Sequence, residues 1–283
     1  MDRSATMRRL RLLLLPALCL ACLLASAQAQ EAGDVLIQAG WVHIVPREDN
    51  GAPRNQLRPN PLFPLLGVES SFSSESVRIL AGSVDTLGLV GQYFLTDHWA
   101  LKLIVGYPPV AEARGRGIVR PTGPTGEMAR IDLSEARFNP LGRARQWVPV
   151  FQLTYHLGPP HARLRPFFSA GFAYAVFTGE ALNEALKAEA NQQFGVPLAL
   201  AAGIPGPTRI RSELDPALAP AFGTGVRWNI DASWSLSMAF DVIALETHGR
   251  VRLHASDGTE LARSRTFLRL NPINISLLAG YRF

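Results

Sequence analysis

Apolar and polar residues alternate along several short stretches of this chain. In the last of them, from Ile273 to Phe283, every odd-numbered position is apolar, and the even-numbered positions are small or polar apart from Leu278. Successive side chains of a β-strand point to opposite faces, so this period of two predicts a strand with one apolar face. The same pattern, with weaker examples, predicts strands at Val35–Val45, Thr86–Phe94, Trp99–Tyr107, Trp147–Leu157, Phe168–Val176, Phe222–Ile230, Trp234–Ala244 and Ile273–Phe283.

The two faces of these strands differ in a way that favours a membrane barrel. Between Phe168 and Val176, for example, large apolar residues alternate with Ser169, Gly171 and alanines. A soluble β-sandwich is the alternative, but its exposed strand faces would carry charge. We therefore predict an all-β fold: an eight-stranded antiparallel transmembrane β-barrel with an apolar outer face and a narrow lumen.

The connections between the predicted strands alternate between short and long. Outer-membrane barrels show this asymmetry, with short periplasmic turns and longer extracellular loops. One long connection contains a stretch from Ala181 to Phe194 that could form a short helix over the mouth, and the serine-rich stretch from Ser70 to Ser76 is interpreted as flexible loop. The long connections are Pro46–Val84, Pro108–Gln146, Gly179–Ala219 and Thr247–Phe267.

The first 29 residues have the three parts of a secretory signal. Arginines precede an apolar run from Leu12 to Leu24, and Ala27-Gln28-Ala29 follows as a small-residue cleavage motif. A transmembrane helix is the alternative, but the run is shorter than the roughly 20 residues that a span needs. A lipoprotein cleaved before Cys22 is a lesser possibility. We predict a cleaved signal peptide at 1–29 and one barrel domain at 30–283.

The composition agrees with an exported barrel and excludes several other classes. Only 18% of the residues are charged, and the formal charge of +5 falls to +2 once the four arginines and one aspartate of the signal are removed. A nearly balanced chain gives no reason to expect nucleic-acid binding. Both cysteines, Cys19 and Cys22, lie in the signal, so the mature chain should hold no disulfide and no cysteine metal site.

Four stretches resemble the OmpW family of small outer-membrane barrels. They are VLIQAGWVHIVP, QYFLTDHWALKLIVGYPP, LRPFFSAGFAYAVF and LNPINISLLAGYRF, and together with the strands between them they cover most of the mature chain outside the loops. The resemblance implies an eight-stranded barrel with a narrow, largely apolar interior that admits small hydrophobic compounds, and that in some members conducts ions. This sequence departs from the family in the first loop and in the segment from Glu180 to Leu218, which are longer than usual.

The closing strand also resembles the terminal signal that the outer-membrane assembly machinery recognises. Tyr281 and Phe283 are the aromatic residues of that signal, and they end an alternating strand. We therefore expect the barrel assembly machinery and outer-membrane lipids to be partners of the chain, in a bacterial outer membrane.

The alternation assigns a set of side chains to the lumen. Several of them are apolar, which is unusual for a water-filled pore and suits the passage of small hydrophobic molecules. The same residues could equally form a packed core that only stabilises the barrel, and the family resemblance favours passage. The predicted lumen-lining residues are Leu36, Gln38, Val42, Val90, Gln92, Ile104, Thr154, Ile243 and Leu278.

Charged side chains also fall on the inward face, namely Lys102, Arg227, Asp241 and Arg282. Because an isolated buried charge is costly, we expect opposite charges to pair in a constricted lumen. A structural pair is favoured over a selectivity filter on that ground.

No pattern in the sequence indicates catalysis or a cofactor. The histidines have no spacing that would place two metal ligands on one strand face or helix turn, so neither catalytic nor metal-binding residues are predicted. We predict a narrow channel or receptor for passive passage of small, hydrophobic solutes, with no cofactor. The alternatives are a structural or host-interaction barrel that acts through its extracellular loops with a closed lumen, and a lipid-modifying enzyme. Oligomeric state is not predicted.

Overall fold

The computed structural model describes residues 32–47, 50–61, 63, 67–122 and 129–283, so the predicted signal peptide lies outside the described residues. The described chain is built almost entirely of strands. In chain order they are β1 (Val35–Val45), β2 (Arg54–Leu57), β3 (Ser71–Ser73), β4 (Arg78–Ala81), β5 (Val84–Phe94), β6 (Trp99–Gly106), β7 (Val110–Arg116), β8 (Ile118–Val119), β9 (Ile131–Asp132), β10 (Gly142–Trp147), β11 (Val150–His156), β12 (Leu164–Leu182), β13 (Arg209–Leu214), β14 (Ala217–Asn229), β15 (Trp234–Ile243), β16 (Glu246–His254), β17 (Glu260–Arg269) and β18 (Ile273–Arg282).

Helices are few and short. A 3₁₀ turn spans Ala136–Phe138, and helix α1 (Glu184–Ala190) runs through a π-helical turn at Asn191–Gly195 into α2 (Val196–Ala201). The predicted helix within the third long connection is thus confirmed, and the Asn183 side chain begins it by accepting hydrogen bonds from two backbone amides. In the described part of the chain, no helix is long and apolar enough to cross a membrane.

Eight of the described strands close into an antiparallel barrel. Each pairs with the next in the order β1, β5, β6, β11, β12, β14, β15, β18, and β18 returns to pair with β1. They correspond to the eight predicted strands, and the predicted fold class is confirmed. The main differences are at β12 and β14, which extend beyond the predicted ends to Leu182 and Ala217.

The outer face of the barrel is apolar, as a lipid-facing surface must be. Leu87, Phe222 and Phe168 are 68%, 58% and 56% exposed, although exposed side chains of this kind are unfavourable in water. Aromatic residues stand at both ends of this band, such as Trp234 against Tyr281 with ring centroids 5.2 Å apart near the short turns. This distribution is typical of a barrel held at two membrane interfaces.

The short turns are fixed by side chains that accept hydrogen bonds from the turn backbone. Between β14 and β15, Asp231 Oδ1 accepts from the amides of Ser233 and Trp234, both at 2.8 Å. Between β5 and β6, the Thr96 hydroxyl accepts from the amide of Trp99 at 3.0 Å. These polar turns lie at the periplasmic end, as predicted for the short connections.

The long connections are not irregular loops but continue the barrel strands into two further layers. In the first layer, the upper part of β12 pairs with β10, β10 with β7, and β7 with β4. In the second, β13, β16, β17, β2 and β3 form a five-stranded sheet. The serine-rich stretch predicted to be a flexible loop contains β3 of this sheet, so that interpretation was wrong. The Phe72 side chain of β3 is buried under this sheet, which explains why the stretch forms an ordered strand.

The second sheet keeps the alternation of the barrel below it. From β15 into β16, residues 243, 245 and 247 are buried while 242, 244, 246 and 248 are exposed. The break between β17 and β18 falls at Asn271, which has a φ of 35°, a left-handed conformation that asparagine tolerates better than most residues. These strands of the extracellular sheet therefore continue the strands of the barrel wall, and their inner and outer faces are the same.

Candidate functional site

The periplasmic end of the lumen is filled by large side chains. Phe94 and His156 are fully buried with ring centroids 5.3 Å apart, and the Arg227 guanidinium carbon lies 5.6 Å from the centre of the Phe94 ring. Phe167 lies 5.5 Å from His156 on the opposite side. Phe94 and Phe167 stand near strand ends, where aromatic residues often mark a membrane interface, but both continue the inward face of their strands.

A polar network crosses the lumen above these rings. Arg227 donates a hydrogen bond to Gln92 Oε1 at 2.7 Å, Gln92 donates to Gln38 at 3.2 Å, and Gln38 donates to Ser237 at 2.7 Å. The chain of contacts joins β14, β5, β1 and β15, so it braces the barrel across its diameter. Buried amides bonded in this way hold their positions because an unmade bond would cost free energy.

The inward charges pair as expected at two levels. Lys102 Nζ lies 3.5 Å from Asp241 Oδ1, both buried, and Gln152 also donates to that oxygen at 3.0 Å. At the periplasmic rim, Arg282 Nη1 lies 3.3 Å from Asp34. The expectation that opposite charges pair is confirmed for these side chains.

Arg227 is different from the other predicted lumen charges. No carboxylate lies within 4 Å of its guanidinium among the described residues, and its partners are the Gln92 amide and the Phe94 ring. Two buried basic groups near it, Arg165 and His156, were missed by the sequence reasoning. His156 continues the inward alternation of Thr154, so a signal for it was present. Arg165 lies before the predicted start of its strand and had no such signal.

The lumen contains a void of about 30 Å³, enough for a water molecule or two but not for an organic solute. Predicted residues that line it are Gln38, Val42, Val90, Gln92, Lys102, Ile104, Asp241 and Leu278. The other predicted positions lie above or below it: Leu36 and Arg227 in the periplasmic packing, Thr154 bonded to Ser169 at 2.9 Å, Ile243 in the apolar layer above, and Arg282 at the rim.

Above this void, small apolar residues close the barrel toward the outside. The layer consists of Val150, Ala173, Ala175, Phe177, Ala219, Ala221, Ile243 and Leu245, all buried. Alanines pack here because the strands approach one another closely, and larger side chains would overfill the space.

A second cavity lies beyond that layer, between the two extracellular sheets. It has a volume of about 360 Å³, and its walls come from the inner faces of both sheets and from α1 and the turn after it. Charged side chains such as Arg143, Glu180 and Arg250 also border it. Its apolar walls include Phe72, Ile131, Leu133, Leu186, Leu253 and Leu270.

This cavity was not predicted, because the sequence reasoning treated the long connections as loops. A signal was present in β7, where Ala111, Ala113 and Gly115 alternate with charged residues. That period of two indicates a strand with one small apolar face. The side of the strand that faces a cavity depends, however, on partners far along the chain.

The predicted C-terminal aromatic pair can also be placed. Phe283 is 74% exposed and its ring lies edge-on to that of Tyr281, with centroids 4.9 Å apart, at the periplasmic end of β18. Among the described residues no group of three or more histidine, cysteine, aspartate or glutamate side chains is placed to hold a metal ion.

Comparison with known proteins defines the class of this fold. No protein-family model matches the chain, and no curated protein sequence does. Among solved structures it is similar to OprG from Pseudomonas aeruginosa, an outer membrane protein, with 17% identity, a TM-score of 0.64 and coverage of 90% of this chain and 98% of OprG. Weaker likenesses are to the outer membrane protein AlkL (17%, TM-score 0.45, 92% and 94% covered) and to CymD, described as a monoaromatic hydrocarbon channel (9%, TM-score 0.36, 90% and 72% covered).

The likeness to OprG shows the fold, an outer-membrane β-barrel. Together with the exposed apolar band, it confirms the architecture that the resemblance to the OmpW family implies, and it confirms the predicted location in a bacterial outer membrane.

Proposed function

We propose that this protein binds small hydrophobic solutes in the cavity between its extracellular sheets and transfers them passively toward the membrane, without an enzymatic step. The observation that carries the proposal is the cavity of about 360 Å³ with mostly apolar walls. Ligand sites typically measure about 300–1,000 Å³ and combine apolar walls with a few polar groups. A cavity at the lower end of that range suits a compact apolar molecule.

The filled lumen favours a receptor-like uptake site over an open pore. A solute moving along the barrel axis would meet the alanine-rich layer, then the Lys102–Asp241 pair, and then Phe94 and Phe167. An apolar molecule gains nothing from displacing hydrogen-bonded polar groups.

The proposed exit for the solute lies beside the lumen. Among the described residues no hydrogen-bonded ladder joins β12 to β13, although Phe177 and Leu214 of these strands both line the cavity. Movement at this seam would let a solute leave the cavity without crossing the polar network.

The test is photolabelling of the protein in lipid nanodiscs with a small aromatic diazirine, followed by mass spectrometry. We expect labelling of cavity residues such as Leu133 and Leu253 that an excess of unlabelled toluene suppresses. Ala111→Trp, which fills the cavity from β7, should reduce that labelling by about tenfold. The matched control is Ala170→Trp on the lipid-facing side of β12, which should leave it unchanged.

Labelling of the lipid-facing surface serves as the internal standard, because partition into lipid does not saturate. The proposal would be contradicted if the cavity were labelled no more strongly than the lipid face. It would also be contradicted if Ala111→Trp left the labelling of the cavity unchanged. It would favour the alternative of a barrel with a closed lumen that acts through its extracellular sheets, for which the filled lumen is the supporting observation.

A further inference from the structure

The outer face of the second extracellular sheet carries arginines in register across neighbouring strands. In one row, Arg250 of β16 lies opposite Arg265 of β17, which lies opposite Arg54 of β2. In the next row, Arg211, Arg252 and Arg263 are opposite one another on β13, β16 and β17. Like charges directly opposite on a sheet destabilise it, so this arrangement calls for an anionic partner.

Acidic residues of the chain neutralise only part of the positive charge of these arginines. Arg252 lies 3.5 Å from Glu213 and 3.8 Å from Glu260, which also reaches Arg263 at 4.0 Å, and Arg250 pairs with Asp215. The six arginines thus face three carboxylates.

Three of the arginines have no such neighbour. Arg54, Arg211 and Arg265 are exposed, and within the described residues no carboxylate lies within 4 Å of any of them. This face therefore carries a net excess of positive charge.

The arginine face is continuous with the lipid-facing surface of the barrel. Along β15 and β16 the outward positions run without a change of parity from Val242 through Glu246 to Arg250 and Arg252. Along β18 and β17 they run from Ile273 through Arg269 to Arg265 and Arg263 in the same way. The arginines therefore point to the side on which the surrounding lipid lies.

The height of these arginines above the membrane determines which kind of lipid headgroup can reach them. The first charged outward row is the ion pair between Glu246 and Arg269, with 2.9 Å between nitrogen and oxygen. The row of Arg250 and Arg265 is four residues further on, about 10 Å along the membrane normal for a strand rise of about 3.3 Å and a tilt of about 40°. Ordinary headgroup layers are only about 6 Å thick on each side, so these arginines stand above them.

We propose that this arginine face, Arg54, Arg211, Arg250, Arg252, Arg263 and Arg265, binds phosphate groups on the saccharide headgroup of the outer-leaflet glycolipid. Guanidinium groups match phosphate oxygens through paired, charge-assisted hydrogen bonds. A tall phosphorylated saccharide reaches these rows, which a glycerophospholipid does not. Arg250 and Arg263 of this face also border the cavity, but the inference does not depend on the solute proposed for that cavity.

The test is binding of purified lipopolysaccharide with a phosphorylated inner core to the full protein in a neutral detergent, at low and high salt. Arg54→Gln/Arg265→Gln removes two opposed arginines that lack acidic partners. We expect about 25-fold weaker binding, from about fivefold per arginine near an anionic surface. The matched control, Arg137→Gln/Arg163→Gln, removes the same charge away from the face and should bind like the parent.

Two further probes test whether phosphate is the recognised group. The same lipopolysaccharide after chemical dephosphorylation should bind about as weakly as the double variant does, and inorganic phosphate at equal concentration should not compete. Equal loss in the control variant, equal binding of the dephosphorylated lipid, or full competition by inorganic phosphate would each overturn the proposal.

Discussion

Asp241→Asn should lower the free energy of unfolding of the barrel by about 3–5 kcal/mol, the range for removing one partner of a buried ion pair. Asp241 is the carboxylate that faces Lys102 at 3.5 Å, and both side chains are buried. Asparagine keeps the size of the side chain and can still accept from Gln152, so the loss isolates the charge. The measurement is urea unfolding in lipid vesicles followed by tryptophan fluorescence.

Two comparisons make this prediction specific. Asp85→Asn removes the carboxylate that contacts His43 at 2.8 Å on the exposed side of β5, where the expected cost is at most about 1 kcal/mol. Adding Lys102→Met to Asp241→Asn removes the isolated charge and should recover at least half of the lost stability, since an apolar replacement of a buried pair is often neutral. A cost for Asp85→Asn equal to that of Asp241→Asn would show that burial is not the cause.

The barrel was predictable from the sequence because its signal is local. In each strand, a period of two separates residues that meet lipid from residues that meet the lumen, as with Leu277 at 50% exposed beside the buried Leu278. The types of neighbouring residues are therefore enough to predict a barrel strand, and its distant pairing partners need not be known.

The errors at strand ends come from stopping the alternation too early. Phe94 has the parity of Gln92 and Val90, and His156 that of Thr154, so all of them point inward. Aromatic residues at strand ends are also common in interfacial girdles, so residue type and parity give opposite indications at a position such as Phe94. The result was a lumen predicted to be more open than the packed one that the structure shows.

The external cavity was beyond prediction for a different reason. Its walls depend on pairings such as Leu57 of β2 with Ala262 of β17, which are separated by about two hundred residues. Short strands such as β2 and β3 have too few residues to show a period, and their identity follows from the partner sheet. Local patterns carry no information on such pairings.

Phe167→Ala should lower the free energy of unfolding by about 3–5 kcal/mol, the usual cost of emptying a well-packed phenylalanine site. The Phe167 ring fills the lumen against β14, where a Cβ on Gly225 would lie 2.5 Å from its Cζ, so this glycine makes room for the ring. The adjacent Phe168 is 56% exposed on the lipid face. Phe168→Ala is therefore the matched control, with an expected cost of about 1–2 kcal/mol.

Removing both lumen rings should also open the barrel to ions. In Phe94→Ala/Phe167→Ala we expect salt conductance across planar bilayers well above that of the parent, with a reversal potential that favours chloride over potassium. The preference follows from the inward charges in the described lumen, where Lys102, Arg165, Arg227 and Arg282 face the carboxylates of Asp34 and Asp241. A double variant as closed as the parent would mean that the polar network alone seals the lumen, whereas cation preference would mean that these arginines do not line the opened path.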